Sequence, residues 1–91
     1  MYTPVLLNSF KKDYKLADKR GLAIADLDVV LTALINGKEL PLKYKNHKLK
    51  GSYKDCLECH IRPDWLLIYR VDELNNTITF IRTGSHSDLF K

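Results

Sequence analysis

The run Cys56-Leu57-Glu58-Cys59-His60-Ile61-Arg62-Pro63-Asp64-Trp65-Leu66-Leu67-Ile68-Tyr69-Arg70-Val71-Asp72, continued after Glu73-Leu74-Asn75-Asn76 by Thr77-Ile78-Thr79-Phe80-Ile81-Arg82-Thr83, decides the fold class. Its apolar and β-branched residues predict three strands, Cys56 to Arg62, Trp65 to Asp72 and Thr77 to Thr83. Pro63-Asp64 and Asn75-Asn76 divide them, and both pairs are turn chemistry. Consecutive strands joined by such short turns form an antiparallel meander.

Upstream the period changes. Leu27, Val30, Leu31, Leu34 and Ile35 recur at three- and four-residue intervals, which predicts a helix over 22–36 closed by Gly37. An earlier helix starts at Asn8 or Ser9 as cap and runs to about Arg20, where Gly21 ends it; Phe10, Tyr14 and Ala17 share one of its faces. With only Gly21 between them, the two helices form a hairpin. Residues 2–7 read as a short strand that Pro4 confines to an edge. Residues 38–48 read as a loop, and a short fourth strand of the sheet is expected over 48–53. A last turn of helix fits into 85–91. The whole is one α+β domain over residues 1–91: strand, helix, helix, then three or four antiparallel strands, with the helical hairpin on one face and the other face open for a site.

Composition bounds the function. Apolar residues make up 45% and charged residues 29% of the 91 positions, the balance of a globular domain. No apolar run nears the roughly 20 residues of a membrane span, and the N-terminus lacks the basic and apolar regions of a signal peptide. The expected location is the cytoplasm, with no membrane partner and with Cys56 and Cys59 as reduced thiols. The net charge of +4 is concentrated in two segments. One holds Lys11, Lys12, Lys15, Lys19 and Arg20; the other holds Lys43, Lys45, Lys48, Lys50 and Lys54. Two basic segments suit a polyanion such as nucleic acid.

Cys56-Leu57-Glu58-Cys59-His60 matches the c-type haem pattern C-x-x-C-H. Alternation along a strand rejects it. Cys56, Glu58 and His60 share one face while Leu57, Cys59 and Ile61 share the other, so the two thiols diverge. The same geometry opposes a zinc knuckle and a redox dithiol, and neither metal nor cofactor is expected.

The alternation also assembles a site. Glu58 and His60 project away from the helices, Asp64 and Trp65 follow at the turn, Arg82 and His86 close the last strand, and His47 opens the basic loop. Metal-free RNA cleavage needs a base for the 2′-OH, an acid for the 5′-oxygen and cations for the phosphorane charge; an exposed aromatic ring can stack on a base. All three histidines, a carboxylate, an arginine and aromatic residues are present.

Three blocks extend this reading: 47–54 (HKLKGSYK), 58–69 (ECHIRPDWLLIY) and 80–90 (FIRTGSHSDLF). In this order and spacing they resemble the YafQ-type mRNA interferases of the RelE/ParE toxin superfamily. The resemblance implies a RelE-like fold and the toxin of a type II toxin–antitoxin system. Such a toxin is a ribosome-dependent endoribonuclease that cuts mRNA in the A site without metal, leaving a 2′,3′-cyclic phosphate and a 5′-hydroxyl. It also implies a cognate antitoxin, of the DinJ type or another, in a heterotetrameric complex. Carried over by matching position, the catalytic set is His47, His60, Asp64, Arg82 and His86, with Trp65 and Phe90 as base-positioning rings. Lys48, Lys50 and Lys54 are expected on the substrate, and Lys11, Lys12, Lys15, Lys19 and Arg20 on the ribosome. His86 is expected to transfer a proton, with Asp64 or His60 as its counterpart. Glu58 stands where the family's namesake has aspartate. A gyrase-inhibiting ParE-like toxin would share the fold but not the histidine set, and a non-catalytic RNA- or ribosome-binding module would have no use for three histidines beside Asp64.

Overall fold

The computed structural model describes residues 1–90. The chain runs β1 (Thr3–Leu6), α1 (Asn8–Lys19), α2 (Ile24–Ile35), a 3₁₀ turn (Leu42–Tyr44), β2 (His47–Lys48), a second 3₁₀ turn (Gly51–Tyr53), β3 (Leu57–Arg62), β4 (Trp65–Asp72), β5 (Thr77–Gly84) and α3 (His86–Leu89). The five strands form one sheet in the order β1-β5-β4-β3-β2. The expected meander is there: β2 to β5 pair antiparallel in succession. β1 returns along β5 in parallel, with Leu6 opposite Phe80, and so takes the edge that Pro4 requires.

The helices cover one sheet face. Phe10 and Ala17 of α1 and Leu27, Val30 and Leu34 of α2 are buried with Cys59, Ile61, Leu67, Tyr69, Ile78 and Phe80 in the main core. Tyr14 donates a hydrogen bond to Asp28 at 2.8 Å and ties the two helices together.

The structure corrects four details. Neither Asn8 nor Ser9 caps α1: Leu7 holds the cap position without a side-chain hydrogen bond, and Ser9 Oγ donates to the Ile81 carbonyl at 2.7 Å. α2 begins at Ile24 rather than Leu22, because Gly21 in the left-handed region (φ 77°) delays the second helix. The strand expected over 48–53 is reduced to His47–Lys48, since Gly51 (φ 74°) bends the following residues into a 3₁₀ turn. Finally, the second sheet face is not bare. Cys56, Leu66, Ile68 and Leu89 form a small second core there, flanked by Leu49, Tyr53 and Ile81. The turn and α3 roof part of this face and leave the remainder for the polar row.

Candidate active site

The site is built by strand pairing. In β3, Glu58 and His60 point to the second face, opposite Ile68 and Leu66 of β4. β2 is only two residues long, yet its register sets His47 directly opposite Glu58. The Glu58 side chain is thereby buried (6% exposed) between two imidazoles, 3.1 Å from His60 Nε2 and 3.8 Å from His47 Nε2. His47 is turned by its other nitrogen: Nδ1 donates to the Lys45 carbonyl at 2.7 Å, which fixes the ring's tautomer when neutral.

The third histidine arrives from the other side of the sheet. Leu66 of β4 pairs with Gly84 of β5, so the turn before β4 and the chain after β5 meet at one end. There Asp64 Oδ1 accepts two bonds from His86, from the backbone N–H at 2.9 Å and from Nδ1 at 2.6 Å. These bonds, the backbone one foremost, hold the Asp64 carboxyl below its ordinary value of 3.8. With Nδ1 engaged, His86 offers Nε2 for proton transfer.

α3 fixes His86 in turn. Ser85 and Asp88 form a reciprocal capping box, Ser85 Oγ accepting from Asp88 N at 3.1 Å and Asp88 Oδ2 accepting from Ser85 N at 3.0 Å. Arg20 Nη1 donates to the same Asp88 oxygen at 3.1 Å and braces this turn against the end of α1.

The product is a continuous row. Ring centroids are 6.2 Å apart for His47 and His60, 5.8 Å for His60 and His86, and 6.4 Å for His86 and Phe90. Phe90 leans edge-on against Tyr53 at 5.8 Å and remains 42% exposed, so part of its ring is free to stack. Lys48, Lys50 and Lys54 are exposed around β2 and the second turn, while Lys11, Lys12, Lys15 and Lys19 are exposed on α1.

Two expected site residues are not in the row. Trp65 is 4% exposed in the main core, and its indole N–H donates to Thr83 Oγ1 at 3.0 Å. Its ring is thus covered in this structure, and bringing it to the surface would forfeit about 3 kcal/mol of burial. Arg82 turns to α1, where Nε and Nη2 engage Asp13 at 2.5 and 3.2 Å. The hydrogen bond to Asp13 raises its already high pKa further. A bulge in β5 leaves Ile81 and Arg82 together between the buried Phe80 and Thr83, a break in alternation that the sequence did not betray. Sequence reasoning also gave no role to Tyr53, and left that of Glu58 open although its spacing from His60 put both on one face.

One donor atom from each of Glu58, His60 and His86 lies within 4.8 Å of the other two. Two imidazoles and a carboxylate are a set that zinc or copper accepts, so these three residues could hold such an ion. The cysteines take no part. Cys59 belongs to the main core and Cys56 to the second, on opposite faces as alternation required, and burial pushes the Cys59 thiol up to about 12. No described helix is long and apolar enough to cross a membrane.

A helix-backed sheet with this basic, histidine-lined face defines a class among known proteins: residues 2–91 match the family described as bacterial toxin of type II toxin–antitoxin system, YafQ. The chain belongs to the YafQ family of type II toxins, with the fold expected of it. It is 43% identical over 82 residues to the mRNA interferase toxin YafQ of Escherichia coli strain K12, covering 89% of this chain and 87% of that one. It is similar along its full length to the toxin in the E. coli DinJ–YafQ complex (TM-score 0.92, 38% identity, 100% of both chains). It is also similar to a metal-bound toxin from Helicobacter pylori (TM-score 0.92, 42% identity, 99% of this chain and 100% of that one).

Proposed function

We propose that this toxin is a ribosome-dependent endoribonuclease that cuts mRNA in the A site and is neutralised by a cognate antitoxin. The carrying observation is the row of three imidazoles, with His86 clamped by Asp64 and an exposed Phe90 at its end. The mRNA interferase name of the E. coli relative supports the activity, and the DinJ–YafQ complex supports an antitoxin partner.

In this reading His60 and His86 face opposite sides of the scissile phosphate. One imidazole takes the 2′-OH proton as the 2′-oxygen attacks phosphorus. The P–O5′ bond breaks, and the other imidazole protonates the departing 5′-oxygen. The products are a 2′,3′-cyclic phosphate and a 5′-hydroxyl. Asp64 orients His86, and Glu58 orients His60 and His47. His47 and the lysines around β2 offset the phosphorane charge, and Phe90 stacks on a neighbouring base. Arg82 anchors β5 to α1 and adds positive potential. Lys11, Lys12, Lys15 and Lys19 meet ribosomal RNA, with Arg20 as brace. No metal is required, because side chains supply all three functions; an ion held by Glu58, His60 and His86 would occupy the proton carriers and inhibit.

The shallow site leaves alignment to the ribosome, and alignment can reach effective molarities of about 10⁵ M or more. The test is cleavage, with a zinc- and copper-selective chelator that leaves the ribosome's Mg²⁺ in place, of the same mRNA free and in a ribosome with an open A site. Cutting confined to the ribosomal complex, with cyclic-phosphate and 5′-hydroxyl ends, is expected. Equal cutting of free RNA, or 5′-phosphate ends, would refute it.

A further inference from the structure

We infer that the pocket between α2, the Leu42–Tyr44 turn and the end of β3 is a second nucleotide subsite, which holds a nucleotide of the substrate RNA next to the scissile one. The inference rests on the nuclease reading above. The pocket encloses about 500 Å³, within the ~300–1,000 Å³ typical of small-molecule sites. Of the row, only His60 is part of its wall; His47, His86 and Phe90 are not. The pocket reaches the His47 side of the row through Lys45, which lies in the lining and whose carbonyl holds His47, and Phe90 stands at the far end.

Its chemistry suits a nucleotide. Lys43, Lys45 and Arg62 bring three cations to the lining against the one carboxylate of Asp26. Arg62 donates to Asp26 Oδ2 from Nε at 2.9 Å and also from Nη2. Both side chains are exposed, at 60% and 42%, and an exposed ion pair contributes little to folding. What the pair does is hold the guanidinium plane still, with donors left over for a phosphate. Tyr44, half-buried against the main core, supplies an apolar wall for a sugar or base.

Lys45 links the pocket to catalysis. It adopts a left-handed backbone (φ 49°), uncommon for a residue with a side chain, and in that conformation its carbonyl accepts the Nδ1 proton of His47. One residue thus supplies a cation to the pocket and orients an imidazole of the row. A groove meant only for ribosomal RNA would not need to share a wall with His60 and a residue with His47.

The probe is a six-nucleotide 2′-O-methyl RNA, which cannot be cut because its 2′-oxygen is blocked. Lys43→Ala/Lys45→Asn removes both lysine charges, and asparagine tolerates the left-handed backbone. Arg62→Gln tests the guanidinium separately, and Lys38→Ala, an exposed lysine outside the pocket, is the control. With thermal midpoints unchanged, the first two variants should weaken probe binding about tenfold and lower its salt slope by ~0.7 for each phosphate no longer neutralised. The control should bind as wild type. Unchanged probe binding in both pocket variants overturns the inference. So does a loss seen only with ribosomes that have a vacant A site and no mRNA, which would assign the pocket to ribosomal RNA. Failure of the nuclease reading would show elsewhere, as wild-type protein leaving ribosome-bound mRNA intact.

Discussion

At the scale of single residues, the pairing of Asp64 with His86 matters most. If His86 carries a proton, His86→Ala should lower the single-turnover rate on saturating ribosomes by about 10²-fold or more. Ribosome affinity, measured separately, should hardly change, because one imidazole adds little to a polyelectrolyte interface. The same pairing has a defined pH dependence. Hydrogen bonds from His86 depress the Asp64 pKa, so the carboxylate's contribution to the pairing is fully present above the 3.8 of a free aspartate. It weakens only as pH falls further, through the folded value. A ¹³C titration of the carboxyl should place its midpoint below 3.8 in wild type and nearer 3.8 when His86 is alanine. A third expectation concerns the thiols. Burial holds Cys59 protonated up to about pH 12, so native protein at about pH 8 should resist iodoacetamide at Cys59 and react there only after denaturation. Fast native labelling would mean that β3 is not packed as described.

At the scale of elements, a four-residue helix aims His86, the histidine proposed to carry a proton, and Gly84 packs against that helix. A Cβ there would lie 3.0 Å from Asp88 Cβ and 3.1 Å from Asp88 Oδ2, the residue that closes the capping box. Gly84→Ala should therefore make Asp88 give way by a few tenths of an ångström, which strains the capping box and shifts His86. The expected cost is about 1 kcal/mol of stability, that of a broken cap, with a disproportionate fall in cleavage rate. Equal rates in mutant and wild type at saturating ribosomes would show that the helix tolerates the methyl group without moving His86. The shared face of Glu58 and His60 was legible in the sequence, and so was a last turn of helix within 85–91, though not the capping box that fixes it. The bulge at Ile81 and Arg82 was not, because a bulge depends on how two strands twist against each other rather than on either strand alone.

Over the whole molecule, the basic residues divide by location. The lysines of β2 and the second turn border the imidazole row, while those of α1 lie on a helix packed against the opposite sheet face. Replacing Lys11, Lys12 and Lys15 together with alanine should weaken ribosome binding and flatten its dependence on salt, since fewer counterions are released. Cleavage at saturation should stay near wild type. A lysine variant that binds normally but cleaves slowly would invert this division of the surface. On the proposed reading the ribosome is met mainly through field and charge, so the three changes should act together more clearly than any one alone.

The sequence by itself determined the strand–helix–helix–meander order, the edge position of β1, the divergence of the two cysteines and the common face of Glu58 and His60. Each follows from local chemistry: a period of two or about 3.6, a proline that lacks a donor, glycines that allow positive φ. Only the tertiary structure decided which side chains meet across the chain. It set His47 opposite Glu58, brought Asp64 to His86, buried Trp65 against Thr83 and gave Arg82 to Asp13. These pairs are separated by 11, 22, 18 and 69 positions. No local preference spans such distances; strand register and the packing of α1 on the sheet do, and both exist only once the core has closed.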